Sequence, residues 1–281
     1  MSISITTDEF RTMAQYVYSL SGIRLDDSKK YLIETRLADL LQETGSASYN
    51  ELYFKVRSDP TKALQRKMVD AMTIKETSFF RDSSPFELLQ HKILPDLIDK
   101  RNQSKFGAAP VPIRIWSAAC STGQEIYSIA ITLKELLIDL KGYNIRLLGT
   151  DISDAAVAHA SRGIYNKIEI ERGLTPDKIN KYFTKIGDTW KVHDEIRAMA
   201  TFSTLNLMAS FAGIGKFDIV FCRNVAIYFT EADKIAVFNK IATAMEHDGY
   251  LVIGSTESLS GLCPQFDSKR YLRSVFYQLK D

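Results

Sequence analysis

The chain has 281 residues, 45% of them apolar and 25% charged, which suits one large domain or a large and a small one with a proper core and excludes a disordered chain. Lysine and arginine number 36 against 34 aspartates and glutamates, a formal charge of +2, so no overall basic field favours nucleic acid. Met1 to Phe10 lacks a charged segment followed by a long apolar core, no apolar run approaches the ~20 residues that span a bilayer, and Cys120, Cys222 and Cys263 are odd in number and widely spaced; a cytoplasmic protein without membrane insertion, disulfides or a structural metal is expected.

The first elements are helical. Phe10, Met13, Ala14 and Val17 repeat at helical spacing, then Leu32, Ile33, Leu37, Leu40 and Leu41, then Leu52, Tyr53, Val56, Leu64 and Met68. Thr6 with Glu9 has the form of a capping box, and Gly22 and Gly45 stand where helices stop. These signals define a small all-helical domain over 1–75. A linker and helix over 76–111 follow, in which Ser84-Pro85 opens a helix with Phe86, Leu89, Ile93 and Leu97 on one face, and Gly107 to Pro112 makes a short stiff entry to the first strand.

From 112 to 281 strands and helices alternate: strand 113–118, helix 124–140, strand 146–151, helix 154–162, strands near 200–203, 217–222 and 249–254, and a helix over 231–246. That order predicts a parallel sheet with helices on both faces, an α/β class of the Rossmann-like, doubly wound kind. A last alternating strand, Tyr271–Leu279, follows a loop and is expected antiparallel at the edge, as in the methyltransferase variant of this fold. The stretch between Asp151 and Ala200 exceeds what one crossover needs, so a small β subdomain is inserted at about 164–198. Within it Tyr182–His193, with Gly187-Asp188 between two alternating runs, reads as a hairpin, either a docking appendage or a solvated surface element.

The turn Ser117–Glu125 after the first strand has a single glycine, so it fits neither the dinucleotide nor the phosphate-loop pattern. Ala118, Ala119, Ser121 and Gly123 keep the backbone bare for a flat, neutral or cationic ligand, and S-adenosylmethionine fits that description. Asp151 at the next strand tip could grip a ribose or cap the following helix, and Glu125 could sit near a methionyl ammonium or serve only the helix dipole. Arg223, Asn224 and Tyr228 follow the apolar strand Phe217–Cys222, and Arg81 in Thr73–Asp82 is either a fork for a carboxylate or a surface partner of Asp82. Asn224 is not followed by the prolines of amino-methylating nucleic-acid enzymes, and Cys263-Pro264 has the wrong order and place for cytosine carbon methylation.

With Thr77-Ser-Phe-Phe-Arg-Asp82, Trp116–Glu125, Gly149-Thr-Asp151, Phe221–Phe229 and Gly254–Glu257 in order, the chain resembles the CheR family of chemotaxis receptor glutamate methyltransferases over nearly its whole length. The resemblance implies transfer of a methyl group from S-adenosylmethionine to glutamate side chains of methyl-accepting chemoreceptors, with S-adenosylhomocysteine as the other product. It implies that Thr77, Arg81, Glu125, Asp151, Asn206, Leu207, Arg223 and Asn224 line the cofactor, with Asp151 on the ribose and Asn206-Leu207 at the adenine. Arg81 and Tyr228 would flank the reacting methyl as orienting groups, since a glutamate of pKa ~4.3 is already a carboxylate at neutral pH. Lys29, Lys30 and Arg36, on a helix interrupted by Asp39 and Leu40, would present positive charge to the receptor helix. The expected enzyme is a monomer that reaches receptor arrays through protein contacts. Departures from the family pattern are Lys75 where some members carry Asn, Ile126 for Pro and Thr256 for Ser. The competing readings are a signalling module that only binds the cofactor and a methyltransferase acting on another protein or a small acid; a nicotinamide-dependent oxidoreductase lacks the multi-glycine turn.

Overall fold

The structure, a computed structural model, describes residues 3–103, 110–137 and 139–280. Five helices come first: α1 (Thr7–Ser21), α2 (Lys30–Arg36), α3 (Ala38–Glu43), α4 (Tyr49–Ser58) and α5 (Ala63–Met72). The Thr6 hydroxyl accepts from the Glu9 amide while the Glu9 carboxylate accepts from the Thr6 amide, and Gly22, at φ 74°, ends α1 in the left-handed region. Phe10, Met13 and Val17 of α1 meet Ile33, Leu37, Leu52, Val56, Met68 and Met72 in a core of their own. Polar ties join this all-α domain to the rest: Tyr18 Oη donates to Asp233 at 2.7 Å, Asn206 Nδ2 to the Leu20 carbonyl at 2.7 Å, and the Arg24 amide to the Tyr228 carbonyl at 3.2 Å.

After α6 (Ser84–Leu88), a wide turn over Leu89–Ile93 and α7 (Leu94–Gln103), the sheet elements follow. They are β1 (Val111–Ala118), α8 (Gln124–Leu136), β2 (Tyr143–Asp151), α9 (Asp154–Arg162), β3 (Ile164–Asn166), α10 (Lys167–Glu171), α11 (Pro176–Tyr182), β4 (Phe183–Ile186), β5 (Thr189–Val192), α12 (Asp194–Arg197), β6 (Ala200–Thr204), β7 (Phe217–Cys222), α13 (Glu231–Ala244), β8 (Met245–Ile253), β9 (Phe266–Tyr271) and β10 (Ser274–Leu279). The large sheet runs β6-β2-β1-β7-β8-β10-β9, parallel from β6 to β8. All six residues of β7 are buried and all but Asp218 are apolar, as a strand covered on both faces requires. Strand order reverses around β1, which lies between β2 and β7, so a crevice opens beyond their carboxyl ends. No helix among the described residues is long and apolar enough to cross a membrane.

The sheet corrects the reading of the C-terminus. The single edge strand expected over Tyr271–Leu279 is the second arm of a hairpin: β10 is antiparallel to β8 as expected, but β9 covers it and forms the edge. Leu272 turns this hairpin at φ 51°, a left-handed conformation that no glycine or asparagine announced. α8 ends four residues before the expected stop, at Leu136, and β8 starts at Met245, where a helix was expected to continue to 246. Gly107 to Ala109 of the proposed stiff entry, and Ile138, lie outside the described residues.

The insertion is a three-stranded sheet in the order β3-β5-β4, with Gly187 at φ 58° in the turn. It is not free-standing, because Tyr165, Tyr182, Phe183 and Val192 are buried in the same core as Phe79 and α8. At the opposite, amino end of the large sheet, Asp218 is fully buried and accepts from Arg101 Nη2 at 2.8 Å and the Arg114 amide at 2.7 Å, while Arg114 also reaches Glu246.

Candidate active site

Beyond the carboxyl ends of β1, β2, β6 and β7 lies a cavity enclosing about 890 Å³ of empty space with its mouth. Thr77, Arg81, Glu125, Asp151, Asn206, Leu207, Arg223, Asn224 and Tyr228, every residue expected at the cofactor or the methyl group, are on its wall. Lys29, Lys30 and Arg36 are not. Arg36 donates to the Met72 carbonyl at 2.8 Å, and its charge acts on the Tyr228 hydroxyl from outside the cavity.

Backbone in unusual conformations gathers on the wall and on the segment that carries Arg81. Phe80 (φ 49°), Asp82 (φ 55°), Ala119 (φ 61°), Ser121 (φ 51°) and Asn224 (φ 57°) are left-handed without being glycine, and elsewhere among the described residues only Lys62 and Leu272 are. Each such residue carries strain on the order of 1 kcal/mol or more, and such strain gathers where a site must be held in one shape. Ser128 Oγ accepts from the Phe80 amide at 2.9 Å, and Arg223 Nη2 donates to the Arg81 carbonyl at 2.8 Å. Glu257 accepts from the Asn224 amide at 2.8 Å and the Gly254 amide at 2.7 Å.

Several roles differ from those expected. Gly123 (φ 95°) does not face the cavity, since a Cβ there would lie 2.8 Å from Ala160 Cβ and 3.1 Å from Tyr165 Oη; it serves packing, and the bare ligand-facing backbone is Ala119–Ser121. Asp151 does not cap α9, because Ser153 does; the carboxylate instead accepts from the Ser121 amide at 2.9 Å and the Ser153 amide at 3.0 Å, tying the two strand-end loops together. Glu125 accepts from Ser117 Oγ at 2.7 Å and Arg223 Nη1 at 2.8 Å. Asp82 pairs with Arg223 at 3.1 Å, leaving Arg81 to donate to the Glu76 carbonyl at 2.9 Å. The Arg223 side chain is 1% exposed and joins three segments of the wall, while its buried Nε has no hydrogen-bond partner among the described residues. Asn206 uses its amide on Leu20 and Met208, so it fixes the loop rather than presenting a side chain.

Residues that sequence reasoning missed complete the cavity: Ser21 and Ile23 from the end of α1, Ile74 and Glu76 from the linker, and Ile152 and Leu205 beside Asp151. The helical domain therefore forms part of the wall. Gly22 was the available signal, since a helix stop there brings the next residues back toward the sheet.

Burial pushes the Asp151 carboxyl above its usual range, against the lowering pull of the Ser153 and Ser121 amides and of Lys75. Burial also pushes the Tyr228 hydroxyl up, with Arg81 and Arg36 opposing, so the phenol stays protonated near neutral pH. The Cys120 thiol is pushed well above its ordinary value by burial and by the charges of Asp151 and Glu125, which leaves no thiolate nucleophile there.

The family description "CheR methyltransferase, all-alpha domain" matches residues 8–73, and "CheR methyltransferase, SAM binding domain" matches 75–272. The chain is 38% identical over 282 aligned positions to the chemotaxis protein methyltransferase of Vibrio parahaemolyticus, and equally to chemotaxis protein methyltransferase 1 of Vibrio cholerae, with 99% of each chain covered. The matched domain is one that binds S-adenosylmethionine, and the bare turn, the acid at the strand tip and the unpartnered Arg223 Nε suit a nucleoside bearing an amino acid. With both halves matched and full-length relatives at that identity, the chain belongs to the CheR family of S-adenosylmethionine-dependent chemotaxis methyltransferases.

Proposed function

We propose that this enzyme methylates the γ-carboxyl of glutamate side chains on the cytoplasmic helices of chemoreceptors, giving glutamate methyl esters. One observation supports the reading: a single cavity gathers the Asp151 and Glu125 carboxylates, the Arg223 guanidinium, and Arg81 with a protonated Tyr228, its described lining includes no histidine or lysine, and its remaining carboxylate, Glu76, is held by Arg172. A carboxylate acceptor needs no base, because it is already ionised near neutral pH.

When bound, S-adenosylmethionine supplies an electrophilic methyl group on a positive sulfur. Asp151 would accept from the ribose hydroxyls, Glu125 would face the methionyl ammonium, and Arg223 Nε–H would donate to the methionyl carboxylate. Leu207, with Ile152 and Leu205, would supply apolar surface for the adenine, while Asn206 holds their loop against α1. Thr77 and Asn224, also on the wall, would border the methionyl part. Arg81 and the Tyr228 hydroxyl hold the incoming carboxylate in line and replace its water, so catalysis is mainly positioning. Arg36 and Lys30 of α2, with Lys29 at the amino cap of that helix, would present positive charge to an acidic receptor helix. Peptide mapping of receptors after reaction should place the added methyl on glutamate; methyl confined to another residue type or to small acids would reject the reading.

Asp151 gives this reading a pH dependence. A protonated carboxyl is a poorer acceptor for the ribose, so cofactor affinity should fall as pH drops through the Asp151 pKa, which lies above the usual ~3.9. Asp151→Asn should weaken binding by about 1.5–3 kcal/mol, a loss of roughly tenfold or more, and should remove that acid limb in calorimetric titrations. The sign for folding is opposite: without cofactor the folded state binds the extra proton, so ionising Asp151 with rising pH lowers stability.

A further inference from the structure

We propose that the inserted β subdomain is a working part of the active site, and that Gly173 is a positioning residue which sets Arg81 through Phe79. This inference rests on the orienting role assigned to Arg81.

The contact is made of backbone. Gly173, in the loop between α10 and α11, has φ +98°, and a Cβ there would lie 1.9 Å from the Phe79 carbonyl oxygen. No side chain fits that gap without displacing the segment that leads into Arg81. The next residue, Phe80, is left-handed, as is Asp82 on the far side of Arg81, so Arg81 sits between two strained positions that a shift at Phe79 would relax. The Phe79 ring, fully buried, is gripped by the insertion as well, edge-on to Tyr165 at 5.0 Å and Phe183 at 5.4 Å. Lys178 of α11 lies over the Phe80 ring at 4.9 Å, and Arg172 pairs with Glu76, whose carbonyl accepts from Arg81. That ion pair is half-exposed and contributes little by itself; the close backbone approach is the determinant.

The same subdomain reaches the cofactor turn. Tyr165 Oη donates to the Thr122 carbonyl at 2.8 Å, and its oxygen lies 3.1 Å from where Gly123 would carry a Cβ. The insertion thus braces two of the loops that form the cavity, one under the cofactor and one under the methyl-flanking arginine. Neither a solvated hairpin nor a docking appendage alone has reason to bury its aromatic residues there.

The test is a double-mutant cycle in the full-length enzyme, with tritiated S-adenosylmethionine, receptor-bearing membranes and calorimetric binding of S-adenosylhomocysteine. Gly173→Ala should lower kcat by about tenfold to a hundredfold, as small misplacements of an orienting group do, with cofactor affinity changed far less. In an Arg81→Ala background the same change should add almost nothing, because both act on one group. An unchanged kcat, or a loss that adds in full to that of Arg81→Ala, would overturn the proposal. If Gly173→Ala does not fold, Phe183→Leu, which loosens the grip on Phe79 from within the insertion, is read the same way. A neutral Arg81→Ala would instead reject the role given to Arg81, so the two failures are distinguishable.

Discussion

Replacing Arg81 by alanine should lower methyl transfer by roughly 10²–10³-fold while changing cofactor affinity by less than about tenfold. The expectation follows from how Arg81 is held. Its backbone is fixed by Arg223 on its carbonyl and by left-handed residues on both sides, and its guanidinium is steadied by the Glu76 carbonyl. A cation fixed beside a protonated phenol acts on the incoming carboxylate, whereas the cofactor keeps Asp151, Glu125 and the Arg223 donor. Arg81→Lys keeps the charge but loses the planar fork, so its activity should fall between wild type and alanine. Initial rates with labelled donor give turnover, and calorimetry gives affinity. Equal losses in both would make Arg81 a cofactor-binding group, and no loss in either would remove it from the site.

The largest effect on stability is expected far from the chemistry. Asp218→Ala should destabilise the fold by about 2–3 kcal/mol, because it leaves buried donors of a charge network without their acceptor. The carboxylate is fully buried and holds both Arg101 and the Arg114 amide where β1 and β7 begin. Arg101 keeps Asp248, at 2.7 Å, and Arg114 keeps Glu246, so the main cost is desolvated donors left without their shared acceptor. Urea unfolding should show the drop, and cofactor affinity measured well below the transition should not move, since the network lies at the opposite end of the strands. A shift below about 1 kcal/mol would mean that the network is dispensable.

What the sequence made legible is local. The run from Ile113 to Ile131 reads as strand, turn and helix because an apolar run gives way to small residues and then to helical spacing, and the structure has β1, a turn and α8 there. The motif residues around Arg81, Asp151 and Arg223 arrive at one cavity because each directly follows or ends a strand of the switch point, or threads past it. What stayed hidden depends on contacts between distant segments. Gly173 carries no motif, and its need for a bare Cα appears only when Phe79 is folded against it. Arg223 looked like a ligand group, yet most of its guanidinium serves Glu125, Asp82 and the Arg81 carbonyl, and only Nε is left over. Asn206 likewise ties two domains, a role that needs Leu20 in place. The β9–β10 hairpin escaped notice because a leucine makes its turn.

The fate of the transferred label in base tests the central claim most directly. After incubation of the enzyme with tritiated S-adenosylmethionine and receptor-bearing membranes, mild alkali should release the receptor-bound label as volatile methanol, and receptors with their acceptor glutamates changed to alanine should take up none. Label that survives alkali, or that persists on the altered receptors, would contradict ester formation on glutamate.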